Sequence, residues 1–230
     1  MGFFRTATNI TGWGSLGSVL GYVAWTRHSK INDLPPTDYL FNTTIFSRFN
    51  PYNNPAMADI CTRKVKLEKI RPELLEQEGK LVEAFSAGVW SGWGFAYQRR
   101  FLEKKYRGPN TASHLWERKD FQASTYETGT MIADHFEVVA KSENSIIIRC
   151  GDSPRIDSIR ESDGLFELTA EVKQEEGVVE FGMKSAFYNG IAQPDKEGKP
   201  LEPPVQGFTK WLHQHYDRVL METAIGNCMV

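Results

Sequence analysis

The chain predicts an α+β fold, an antiparallel curved β-sheet wrapped on a long C-terminal helix, with a helical segment inserted after the first strand. Three observations carry this. Short strand-like runs follow one another over residues 130–188. The turns between them are brief, so neighbouring strands pair antiparallel. Within the runs apolar and polar side chains alternate with period two, and residues 204–225 then switch to helical spacing.

The elements can be taken in order. Residues 60–67 alternate loosely and read as the first strand. Residues 72–106 read as helical: Pro72 suits a first turn, acidic residues follow it, and the pattern breaks near Gly79. Gly88, Gly92 and Gly94 interrupt this helical stretch, at a cost of about 1 kcal/mol each relative to Ala. Either close helix-to-sheet packing compensates, or a bend opens beside a ligand lined by Trp90, Trp93 and Tyr97. Residues 115–131 read as one or two strands. Strands are then expected at 134–139, 145–150, 165–172 and 178–188, with hairpin turns at 141–144 and 175–177 and a loop over 190–204.

The alternation predicts two unlike faces. Phe136, Val138, Phe166, Leu168, Ala170, Val172, Val179, Phe181, Met183 and Phe187 share the buried one. His135, Glu137, Glu167, Glu180, Lys184 and Tyr188 share the other, read as a solvated face with a cross-strand charge ladder. His135 is then exposed unless residues 1–57 cover that face. On the last helix Phe208, Trp211, Leu212, His215, Val219 and Leu220 form the stripe expected to close on the sheet.

Ahead of this body, residues 1–57 read as an extension and residues 58–230 as the ligand-binding domain. Residues 30–57 are dense in Pro, Asn and Asp and read as loop. Residues 6–26 carry no charge, but glycines dilute them too much for a signal peptide or a convincing transmembrane helix. They read as a docking or capping element, with membrane association as the alternative.

Composition narrows the classes of function. A length of 230 residues, 40% of them apolar, can bury a core without disulfide or metal staples. A net charge of −2 argues against a nucleic-acid partner. Arg99, Arg100, Lys104 and Lys105 form the tight basic cluster, read as a solvated helix end. Cys61, Cys150 and Cys228 lack metal or redox spacing, which suits reduced thiols in a cytoplasmic setting.

The order of elements resembles the helix-grip superfamily of START, polyketide-cyclase and birch-pollen-allergen-like proteins. More narrowly it resembles an uncharacterised family within it, found in bacteria and fungi. The stretches that carry the resemblance are residues 85–90, 134–139, 146–152 and 208–216. It implies a cavity between sheet and C-terminal helix for hydrophobic, polycyclic or polyketide-like ligands, and it supplies no catalytic residue.

Several chemistries lack their residues. His213 and His215 are two apart and fall on different sides of a helix, and no H-E-x-x-H is present, so zinc is discounted. No Walker or dinucleotide glycine pattern follows a strand, and no nucleophile elbow occurs. No cofactor or metal is expected. What remains is acid–base work in an apolar cavity. His215, Asp152 (at a strand end, with Arg155 as its ordinary turn partner) and His135 are the catalytic candidates. Trp90, Trp93, Tyr97, Phe136, Phe181, Met183 and Trp211 are the ligand-binding candidates. The expected function is a cofactor-independent cyclase or isomerase of a hydrophobic metabolite, in secondary metabolism. A non-catalytic lipid or metabolite carrier is the alternative.

Overall fold

A computed structural model describes residues 18–193 and 200–230. Seven strands form one open antiparallel sheet in the order β1-β2-β7-β6-β5-β4-β3. They are β1 (Lys30–Asp33), β2 (Met57–Lys66), β3 (Met131–Ile132), β4 (Phe136–Lys141), β5 (Ser145–Gly151), β6 (Asp163–Lys173) and β7 (Val178–Tyr188). Helix α1 (18–26) precedes β1, and α2 (Thr44–Phe49) follows it. Between β2 and β3 run α3 (Lys80–Ser91), α4 (Trp93–Tyr106) and α5 (Arg118–Ala123), and α6 (Gly207–Ile225) ends the fold. The protein is therefore an α+β chain with an antiparallel sheet and a C-terminal helix.

Alternation positions the strands as expected. In β2 the buried residues Met57, Asp59 and Cys61 recur every second position, and the β6–β7 hairpin turns through Gly177 at φ +64°. Helices α3 to α6 cover one face, over a core that includes Val138, Leu168, Phe181 and Met183. Within that layer α3 packs directly on α6. A Cβ at Gly88 would lie 2.3 Å from the Ala224 carbonyl oxygen, so helix-to-helix contact explains this glycine.

Three expectations change. Residues 30–57 are structured, with β1 pairing β2, and Leu34, Leu40, Phe46 and Phe49 form a second core against Ile147, Leu165 and Tyr188. The face read as solvated is thus largely covered. Glu167 and Lys184 do pair across β6 and β7 at 3.1 Å, but both are buried and Asp38 completes the group at 3.0 Å from Lys184. Residues 118–123 are helix where strand was expected. The third change concerns α6. Its inner face carries His213, Asp217, Leu220, Met221 and Ala224, and the stripe of Phe208, Trp211 and Leu212 points outward.

Of the segment 6–26, residues 6–17 lie outside the described residues. No described helix is long and apolar enough to cross a membrane.

Candidate functional site

A cavity of about 560 Å³ lies between the sheet and α6, within the range of drug-sized ligand sites. Its apolar walls come from the sheet (Phe136, Phe166, Phe187), from the α3–α4 corner (Trp90, Phe95) and from Leu220 of α6. Trp90 is fixed twice. Its Nε1 donates to Ser86 Oγ at 3.1 Å, and its ring meets Phe136 at 4.7 Å and Phe95 at 5.1 Å. Tyr216 on α6 donates to Gln98 Oε1 on α4 at 2.9 Å, tying the two helices beside the cavity. A groove of about 740 Å³ between residues 33–58 and 203–210 is larger but more open to solvent. It offers only the Asp33–Lys210 ion pair as titratable lining. A less open shape and convergent polar groups favour the cavity beside α6.

One polar end of the cavity is built by α6, with β2 behind it. His213 and Asp217 are one helical turn apart, which puts both on the inner face. His213 Nε2 lies 3.0 Å from Asp217 Oδ2 and 3.4 Å from Asp59 Oδ1, and its ring edge meets Phe187 at 5.0 Å. Asp59 and Asp217 are buried, and neither Asp59 oxygen receives a hydrogen bond. Burial alone lowers a histidine pKa. Here the two carboxylates outweigh it and raise His213 to about 10. Asp217 is raised above the usual carboxylate range by its burial, against the pull of His213. His213 therefore carries its proton at neutral pH, with one oxygen of Asp217 and one of Asp59 beside Nε2.

These three side chains are also compact enough to hold a cation, with ligand atoms within 4.8 Å of one another. A metal would first have to displace the His213 proton. With the imidazole titrating near 10, that competition weakens affinity at pH 7 by about a thousandfold. The donor set therefore suits a proton better than a metal.

His135 also lines the cavity. It sits just before β4, after Ala133 and Asp134 at φ +52° and +48°, and this left-handed turn takes it out of the strand's alternation. Burial lowers its pKa, and Asp152 and Asp134 oppose the shift. His135 is consequently a neutral imidazole, not a residue of a solvated face.

The remaining candidates divide. Trp90 and Phe136 line the cavity as expected. Phe181 and Met183 are fully buried in the core and are not among the lining residues. Trp93, Tyr97 and Trp211 are 66%, 87% and 52% exposed and face away. His215 lies outside the cavity: Tyr22 Oη contacts its Nδ1 at 2.7 Å, and the Trp211 ring packs against it at 4.2 Å. Asp152 stands one residue beyond the lining, accepting from the Ser162 N–H at 3.4 Å. Arg155, its expected partner, instead donates to Asp134 at 2.8 and 3.1 Å. The sequence reading missed His213, Asp217 and Asp59. The i,i+4 spacing of His213 and Asp217 was the available signal, and the buried parity of Asp59 in β2 was the second.

Comparison of the chain with protein-family models, with characterised proteins and with solved structures found no match. The class that fold and site define is an α+β protein with a largely apolar cavity between sheet and C-terminal helix and a buried Asp–His–Asp group at its edge.

Proposed function

We propose that the protein is a cofactor-independent isomerase or cyclase of a hydrophobic metabolite, bound between the sheet and α6 in a helix-grip arrangement. The observation that carries this reading is the placement of two histidines on one apolar cavity. His213 approaches from the β7 side and His135 from the β4 side. Those strands are three spacings apart, roughly 14 Å between backbones, so side chains from each flank a ligand held between them.

Their environments assign the roles. His135, neutral, takes a proton from a carbon acid, and the bond's electron pair shifts toward an electron-withdrawing oxygen. The His213 imidazolium, held by Asp59 and Asp217, donates a hydrogen bond or proton to that oxygen. The His135 imidazolium then returns its proton to a second carbon of the conjugated system. Where the nucleophilic carbon instead closes a ring onto a carbonyl carbon whose C=O π bond opens, the proton goes to the resulting alkoxide. Any proton lent by His213 returns to it as the oxygen's carbonyl re-forms, and there is no net redox change. The aromatic walls exclude water and hold the substrate folded.

The test is native mass spectrometry of protein purified from its own host, then extraction of any bound molecule and turnover assays with its isomers. His135→Gln and His213→Gln are expected to keep binding and lose turnover by about 10² or more. Tight binding with no turnover in the unsubstituted protein would replace this reading with the carrier. Unchanged turnover in both variants would remove the acid–base mechanism.

A further inference from the structure

We propose that α1, α4 and the first turns of α6 form one docking surface for an anionic phospholipid bilayer. The observation is independent of the cavity's chemistry. Each helix turns large apolar side chains to solvent. Val19, Leu20 and Val23 on α1 are 54–59% exposed. Trp93, Tyr97 and Phe101 on α4 follow at i,i+4 spacing, with Tyr97 at 87%. Phe208, Trp211 and Leu212 do the same on α6, with Phe208 at 74%.

The three stripes are joined. Trp25 of α1 stacks on Trp93 of α4 at 5.3 Å. Tyr22 of α1 meets His215 of α6, and the His215, Trp211 and Phe208 rings pack in series. A continuous apolar area fed by three helices exceeds the scattered exposure normal for a surface.

Charge selects the occupant. The first acidic residue of the chain is Asp33, so α1 carries none, and α6 carries none before Asp217. In α4 the sole acid, Glu103, is paired with Arg107. The stripes of α1 and α4 both end in exposed cations: Arg27 on the first, Lys104 and Lys105 on the second, with Arg100 beside them. A two-fold dimer through this face would gather the cations of both copies into one interface, which repels. An anionic bilayer accepts the apolar side chains at its headgroup boundary and attracts the rim. Trp and Tyr are the residues that suit that boundary. None of the described helices can span the bilayer, so the contact lies in the interface plane.

The experiment is co-sedimentation of the full chain with vesicles of phosphatidylcholine alone, and of phosphatidylcholine mixed with phosphatidylserine. Binding is expected to the mixed vesicles, weaker to the neutral ones, and weakened by salt. The double variant Leu20→Glu with Tyr97→Glu is expected to reduce partitioning by at least about tenfold. Both positions are exposed, so an unchanged far-UV circular dichroism spectrum and melting temperature verify that folding is intact. Absence of binding to the mixed vesicles, or binding unaltered by the double variant, overturns the proposal. So does a concentration-dependent dimer that the double variant abolishes in the absence of vesicle binding, since the surface would then belong to a second copy.

Discussion

His213 and Asp217 meet at 3.0 Å one turn apart on α6, and Asp59 of β2 reaches the same imidazole at 3.4 Å from the other side. A strand and a helix distant in sequence are thereby joined by one imidazolium between two carboxylates, at the edge of the cavity. Such a buried group is poor evidence of stability, because burying three ionisable side chains costs several kcal/mol that their attraction only partly offsets.

The two cavity histidines should titrate on opposite sides of the ordinary value. In an NMR titration the ring proton of His213 is expected to shift near pH 10, and that of His135 below 6.5. Asp217→Asn removes the carboxylate 3.0 Å from Nε2 and should bring the His213 midpoint down by a unit or more, roughly. A His213 that titrates at the ordinary value in the unsubstituted protein would contradict the arrangement.

The same shift makes stability depend on pH. The folded pKa of His213 lies above its unfolded value, so its contribution is complete below about 6.5. It is lost progressively as pH rises through about 10. For one proton the slope is at most about 1.4 kcal/mol per pH unit. Urea melts at pH 6.5, 8 and 9.5, roughly spanning that window, should show stability falling with pH, and His213→Gln should flatten the trend. A melt whose midpoint rises over this window would reverse the sign and exclude the mechanism.

How much of this was legible in the sequence depends on what each residue's pattern encodes. β2, β6 and β7 were readable because apolar and polar side chains alternate along them. β5 was readable because its short apolar run lies between turn signals, even though a second core covers much of the other face. α6 was readable as a helix, but its phase was not. Its outward stripe of Phe208, Trp211 and Leu212 is more apolar than the inward one, which carries His213 and Asp217. Hydrophobic periodicity therefore selects the wrong face, and His215 was taken for the cavity residue. α2 and α5 span six residues each, too short for a helical period to stand out among turn formers or aromatics. The partnership of Asp59 with α6 is tertiary, and no local pattern contains it.

On the opposite face, Lys184 is held between Glu167 and Asp38 at 3.1 and 3.0 Å with all three largely buried. Lys184→Met leaves two carboxylates facing each other without a cation and should cost about 3–5 kcal/mol by urea denaturation. Adding Glu167→Leu should restore part of the loss, because the larger uncompensated charge is then removed. A single substitution that costs less than about 1 kcal/mol would mean the group is solvated, as for an ordinary surface pair.

The closest approach of α3 to α6, the helices that carry Trp90 and His213, is at Gly88. An added Cβ would meet the Ala224 carbonyl oxygen at 2.3 Å, and both partners are helix backbone, so neither can rotate aside. Gly88→Ala must push the helices apart, at a cost at the upper end of overpacking, about 3 kcal/mol. Gly177 provides the contrast. Its φ of +64° strains an alanine by about 1–2 kcal/mol, but nothing lies within 4 Å of the added carbon. Thermal melts of the two variants should rank Gly88→Ala well below Gly177→Ala. Because α6 carries His213 and α3 carries Trp90, Gly88→Ala should also weaken cavity binding, which Gly177→Ala leaves intact. Equal melting temperatures would show that α6 can slide along α3, and the cavity would not depend on that contact.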